Sequence, residues 1–154
     1  VVVDPTIEQS PGRQFLKFAI LGFFVAHVWE ILQMPFFEPG GLSPTERTWR
    51  CTIASVGDGL ILGSAAWLAG KISTHADWSR TLAVKPVLTY FGFGLIVAIG
   101  VEIVATTLPE RSMFSWRYGA NMPMIPGTSL ALVPLAMWII VPAITLWLSR
   151  FTRE

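Results

Sequence analysis

Four stretches of the chain are apolar for long enough to cross a bilayer, at about 15–34, 51–70, 86–108 and 128–149. Crossing roughly 30 Å of hydrocarbon at about 1.5 Å per residue takes about 20 mostly apolar residues. Prolines mark the edges of these runs. Pro35 and Pro109 stand just past two of the ends, and Pro86 opens the third run, positions that proline tolerates. Pro134 and Pro142 lie inside the fourth run and are expected to kink it, which membrane helices accept when neighbours satisfy the freed carbonyls. The expected fold is an all-α integral membrane protein, a four-transmembrane-helix bundle forming a single membrane domain over 1–154.

The polar segments between the runs are short. Residues 35–50 are rich in Pro and Gly and read as an irregular loop, and 71–85 are polar. Residues 108–127, with their Trp, Tyr, Met and Pro, read as a segment lying at the membrane interface. Composition agrees: charged residues are 14% of the chain, against roughly a quarter in soluble domains, too few to cover a soluble surface. A net charge of +1 gives no electrostatic draw toward nucleic acid. The lone Cys51 excludes an internal disulfide. About a dozen mainly polar residues precede the first run, which is too long for a signal sequence, so no cleavable signal peptide is expected. One side of the membrane would carry Arg13, Lys17, Lys71, Arg80, Lys85, Arg150 and Arg153, and the other Arg47, Arg50, Arg111 and Arg117. That bias places both termini in the cytoplasm.

Acidic residues interrupt three of the runs. The first contains His27, Glu30 and Gln33, which recur every three residues and share a helix face. The second contains Asp58 and the third Glu102. A carboxylate within a span costs at least about 2.5–3.5 kcal/mol, so such residues face the bundle interior and are functional candidates by default. Glu30 lies five residues before Pro35, Asp58 eight after Arg50 and Glu102 seven before Pro109. All three therefore sit roughly 7–12 Å inside the same, non-cytoplasmic end. Alternate spans run in opposite directions, so this agreement in depth points to one shared polar layer. The competing reading is that the acids are structural, paired with Arg50, Arg111 or Arg117. His27 alone reads as a satisfied core histidine; beside Glu30 it becomes a candidate partner in proton transfer.

Other positions speak mainly of packing. Ser55, Gly59 and Gly63 form a row of small residues that lets helix backbones approach closely. Trp29, Trp49, Trp67, Trp78, Trp116 and Trp147 lie near span ends and fit aromatic belts. Trp138 lies well inside the fourth run, where it faces lipid or core or stacks on a ligand. Trp116, Arg117 and Tyr118, near Asn121, offer hydrogen-bond donors over an aromatic surface at the mouth of the bundle, as an interfacial anchor or as a lid. Gln33, Arg111, Trp116, Tyr118, Asn121 and Trp138 are the candidate ligand contacts.

Glu102, the Trp116-x-Tyr118 element and a following helix with Pro134, Trp138 and Pro142 resemble the last third of membrane carotenoid hydratases and lycopene cyclases. The cyclases' Pro-x-Glu-Glu is absent, since Leu135-Ala136-Met137 follow Pro134. His27, Glu30 and Glu102 are similar in placement to the acids of the sterol-isomerase family, and the whole pattern resembles small bacterial four-span proteins. These resemblances imply proton transfer to a carbon–carbon double bond of an isoprenoid by intramembrane carboxyls, in a bacterial inner membrane.

No H-x-x-x-H, C-x-x-C, HExxH or nucleotide-binding glycine pattern is present, so neither a metal nor a cofactor is expected. Two readings follow. In one, the protein binds or transforms an apolar isoprenoid or lipid, with Glu30 and Glu102 as acid/base pair, Asp58 orienting and His27 assisting. In the other it is a non-catalytic accessory subunit of a larger energy-transducing membrane complex. Its partners are then membrane lipids or an isoprenoid ligand, other membrane subunits, or a second copy in a homodimer.

Overall fold

The computed structural model describes residues 11–73, 78–109 and 112–152. Helix α1 spans Pro11–Gln33 and runs into a 3-10 turn, Met34–Phe36. Helix α2 spans Pro44–Ile72, a short α3 spans Trp78–Thr81, α4 spans Val84–Thr107 and α5 spans Leu132–Ser149. The long helices α1, α2, α4 and α5 are each long and apolar enough to cross a membrane. The chain is an all-α, four-helix integral membrane bundle. The long helices close into a ring in which α1 and α4 each pack against both α2 and α5.

Two helix starts differ from the apolar runs, for local reasons. Helix α2 begins seven residues before the run at Cys51, because Ser43 and Glu46 form a capping box. The Glu46 N–H donates to the Ser43 hydroxyl at 3.3 Å, and the Ser43 N–H donates to the Glu46 carboxylate at 2.8 Å. This satisfies two backbone donors outside the hydrocarbon and lets a polar turn join the helix. Helix α5 begins later than the run, at Leu132, after a tight reversal in which Met124 and Ala131 form an antiparallel bridge. Pro134 thus falls in the first turn of α5, where backbone N–H groups have no intrahelical partner anyway. Pro134 is therefore not the interior proline that the apolar run suggests, and only Pro142 lies inside the helix.

Helices α1 and α2 touch almost backbone to backbone. A Cβ on Gly59 would lie 2.6 Å from the Ala19 carbonyl oxygen, and one on Gly63 would lie 2.8 Å from that of Phe15. Gly22 reciprocates, since a Cβ there would meet Leu62 at 2.7 Å. With little hydrophobic drive between helices in lipid, such close van der Waals fitting is what associates them.

Toward the chain termini the bundle is closed by aromatic packing. Phe18 stacks on Trp78 at 5.8 Å and meets Tyr90 edge-on at 5.4 Å. Trp78 does not join an aromatic belt: α3 folds it inward until it is fully buried. The interior at this end is filled, and it provides a rigid floor for the opposite end.

Gly63→Leu is expected to lower stability by about 1–3 kcal/mol through overpacking. Gly57→Ala, where an added Cβ meets nothing within 4 Å, should not lower it. Thermal unfolding of the two variants in the same detergent measures the difference.

Candidate functional site

Above that floor lies a cavity of about 1010 Å³. All four long helices line it: Glu30 and Gln33 from α1, Asp58 from α2, Glu102 from α4 and Trp138 from α5. The three acids that sequence spacing puts at one depth thus border a single space. The wall between them is mostly apolar, including Ile61, Val97, Ala98 and Met137. Trp138 borders the cavity and is buried, packed closely against α4 where Gly94 has no side chain; a Cβ there would sit 3.2 Å from the indole.

Two loops roof the cavity. The Glu38 N–H donates to the Arg117 carbonyl at 2.9 Å, and the Gly119 N–H donates to the Phe36 carbonyl at 2.8 Å. Phe37 and Tyr118 form the antiparallel bridge between them, with their rings 5.8 Å apart. Sequence reasoning finds the 116–118 half of this roof from its aromatics. It misses the 36–40 half, because a bridge made by main-chain groups leaves no side-chain signature.

The carboxyls are held by neutral donors. Trp116 Nε1 donates to Oε1 of Glu102 at 3.3 Å, and the Tyr118 hydroxyl donates to the same oxygen. Gln33 Nε2 donates to Oε1 of Glu30 at 2.8 Å and is itself set by the Trp29 indole, which donates to its carbonyl at 2.9 Å. In each glutamate one oxygen is fixed, and Oε2 has no hydrogen-bond partner among the described residues. Asp58 carries a buried Oδ2 with no hydrogen-bond partner among the described residues.

The described arginines at this end donate to main-chain carbonyls. Arg117 donates to the carbonyls of Thr106 at 3.1 Å and Leu108 at 2.8 Å, capping the negative end of α4. Arg47 donates to the Met34 carbonyl at 3.1 Å, just past the end of α1, and Arg50 to that of Ser112 at 3.4 Å. No acid of the cavity has a cationic partner among the described residues.

The remaining candidates fall into different surroundings. His27 is in the α1–α2 interface, with Nδ1 3.3 Å from the Ser55 hydroxyl and its ring stacked on Phe23; it does not line the cavity. Asn121 is an exposed turn residue away from the cavity lining. Arg111 lies outside the described residues. Among the described residues, no three His, Cys, Asp or Glu side chains are arranged to hold a metal ion.

Removing the Tyr118 hydroxyl takes one of two donors from a buried carboxyl and loosens the roof. Tyr118→Phe is expected to cost about 1–3 kcal/mol of stability and to speed backbone hydrogen exchange over 115–119, whereas Glu102→Gln, which keeps an acceptor, should cost less. Hydrogen exchange with mass spectrometry and thermal unfolding test the pair. Compared with protein-family models, curated proteins and solved structures, the chain matches none, so its chemistry has to be read from the cavity itself.

Proposed function

We propose that the cavity binds an apolar isoprenoid or lipid molecule and that Glu30 and Glu102 exchange a proton with it. The observation carrying this reading is the set of three carboxyls bordering one largely apolar space with no cationic partner among the described residues. Arginine pairing would neutralise acids that served only to hold helices together. Acids aimed at a space and bonded through one oxygen are suited instead to give and take protons there.

The chemistry is an isomerisation. One glutamic acid gives the proton of Oε2 to a carbon of a carbon–carbon double bond; the O–H bond breaks, a C–H bond forms, and the positive charge left on the neighbouring carbon is balanced by the new carboxylate. The other glutamate removes a proton from the carbon next to that charge, and the double bond re-forms one position along. No oxidant or reductant is consumed. Trp116 and Tyr118 hold Oε1 of Glu102 and stabilise negative charge on that carboxyl when its proton has left. Trp138 offers an aromatic face to the cationic intermediate. Asp58 orients the ligand. We place both termini in the cytoplasm on the Lys and Arg distribution of the loops, and the membrane as a bacterial inner membrane on the resemblance to small bacterial four-span proteins alone.

Glu30→Gln and Glu102→Gln are each expected to reduce product by about 10²-fold or more while the ligand still co-purifies. Mass spectrometry of lipid extracts from expressing cells, and of gently solubilised protein, makes the comparison. An unchanged extract in both variants would sink the reading. For orientation, a membrane-impermeant maleimide on intact cells should label Glu38→Cys and leave Phe151→Cys unlabelled.

A further inference from the structure

The cavity is not sealed on its lipid-facing side. Helix α2 borders it with Ala54, Gly57 and Ile61, and α4 with Gly100, Val101 and Val104. Gly100, Val101 and Val104 are lining residues and exposed residues at once, so the space opens outward between these two helices. At both Gly57 and Gly100 an added Cβ would meet nothing within 4 Å. Toward the floor this face of α2 closes, since Ala65, one turn beyond Ile61, is completely buried. The opening lies at the depth of Asp58, next to Gly57; Asp58 lines the space there, and its buried Oδ2 has no hydrogen-bond partner among the described residues.

From this placement we infer that the ligand is an uncharged amphiphile bearing a hydroxyl group, which slides in from the bilayer between α2 and α4 and bonds its hydroxyl to Asp58. A route lined by valine, isoleucine and glycine gives a charged head no compensation on the way, and desolvating such a head is far costlier than desolvating a hydroxyl. The roof route is tied by the main-chain bonds between its two loops and passes Arg47, Arg50 and Arg117. A hydroxyl can donate to a carboxylate oxygen and accept from a protonated carboxyl, so it suits Asp58 in either state. An apolar tail would then lie along Ile61, Val101 and Val104 toward lipid, with its polar end in the acid layer. The inference rests on the apolar-ligand reading above and adds the head group and the route.

The test uses the full chain in phosphatidylcholine vesicles and an isoprenoid alcohol carrying a photoactivatable diazirine, beside its methyl ether and the corresponding primary ammonium. The alcohol should label the protein about tenfold or more above the other two, a difference of about 1.4 kcal/mol. Asp58→Leu should reduce alcohol labelling to the ether's level. Gly57→Trp and Gly100→Trp, which fill the opening from either side, should each slow labelling about tenfold. Leu60→Trp, on an exposed face that does not line the cavity, should label as the wild type does. Equal labelling by alcohol and ether, or wild-type rates in both glycine variants, would overturn the head group or the route while leaving an apolar ligand in place. If none of the three probes labels the wild type, both this inference and the apolar-ligand reading fall.

Discussion

The near backbone contact of α1 and α2 sets the geometry of everything above it. Glycine at 59 and 63 brings the α2 axis against the carbonyls of Phe15 and Ala19, and two helices held that closely cannot accommodate a cavity between them. Whatever space the bundle keeps must lie on the other faces of α2, toward α4 and α5. The same contact fixes the rotation of both helices. Because Gly59 faces α1, its neighbour Asp58 is turned to the side and reaches the cavity, while Ser55, one turn away on the packed face, meets His27. Opposite them, Trp138 fits against Gly94 and fills the centre of the ring as far as the floor of the cavity.

Charge at this end is distributed by the same economy of partners. The last turn of a helix leaves carbonyls without intrahelical donors, and within or near hydrocarbon these groups are costly to leave bare. Arg117 meets that need for α4, and Arg47 meets the Met34 carbonyl beyond α1. Guanidinium groups committed to helix ends are withdrawn from the acids, which are met by an amide, an indole and a phenol. His27 meets the Ser55 hydroxyl within a packed interface, one turn before Glu30 on α1.

Much of this was legible in the sequence, and the parts that were not have a common cause. The four spans follow from the length of apolar runs because bilayer thickness leaves no other solution for them. The shared depth of Glu30, Asp58 and Glu102 follows from counting residues to helix ends, since rise per residue is nearly constant. The Ser55-Gly59-Gly63 row marks a close helix contact for steric reasons alone. What counting does not reach is anything that depends on how the polar segments fold. Trp78 has the sequence neighbourhood of a belt residue, yet a single helical turn in its loop carries it into the core. Pro134 reads as an interior kink until the bridge between Met124 and Ala131 delays the start of α5 and makes it a first-turn proline. The roof is joined by main-chain bonds, which any sequence can make.

A bundle whose acids were only structural is expected to meet two conditions that the described residues of this one do not meet. Each buried carboxylate in a span costs at least about 2.5–3.5 kcal/mol, so a structural acid is retained where a nearby cation offsets that cost. Here Arg47, Arg50 and Arg117 border the very cavity that holds the acids, and among the described residues their hydrogen bonds go to loop and helix-end carbonyls and none to these acids. A structural acid would also direct both oxygens at fixed partners, since a half-satisfied buried polar group is less favourable than an apolar one. In Glu30 and Glu102 one oxygen is held and, among the described residues, the other is not. Orientation without neutralisation is the arrangement expected of a group that must change its protonation state in place. It needs a fixed position relative to a reacting carbon, and a neighbouring arginine would hold it permanently charged.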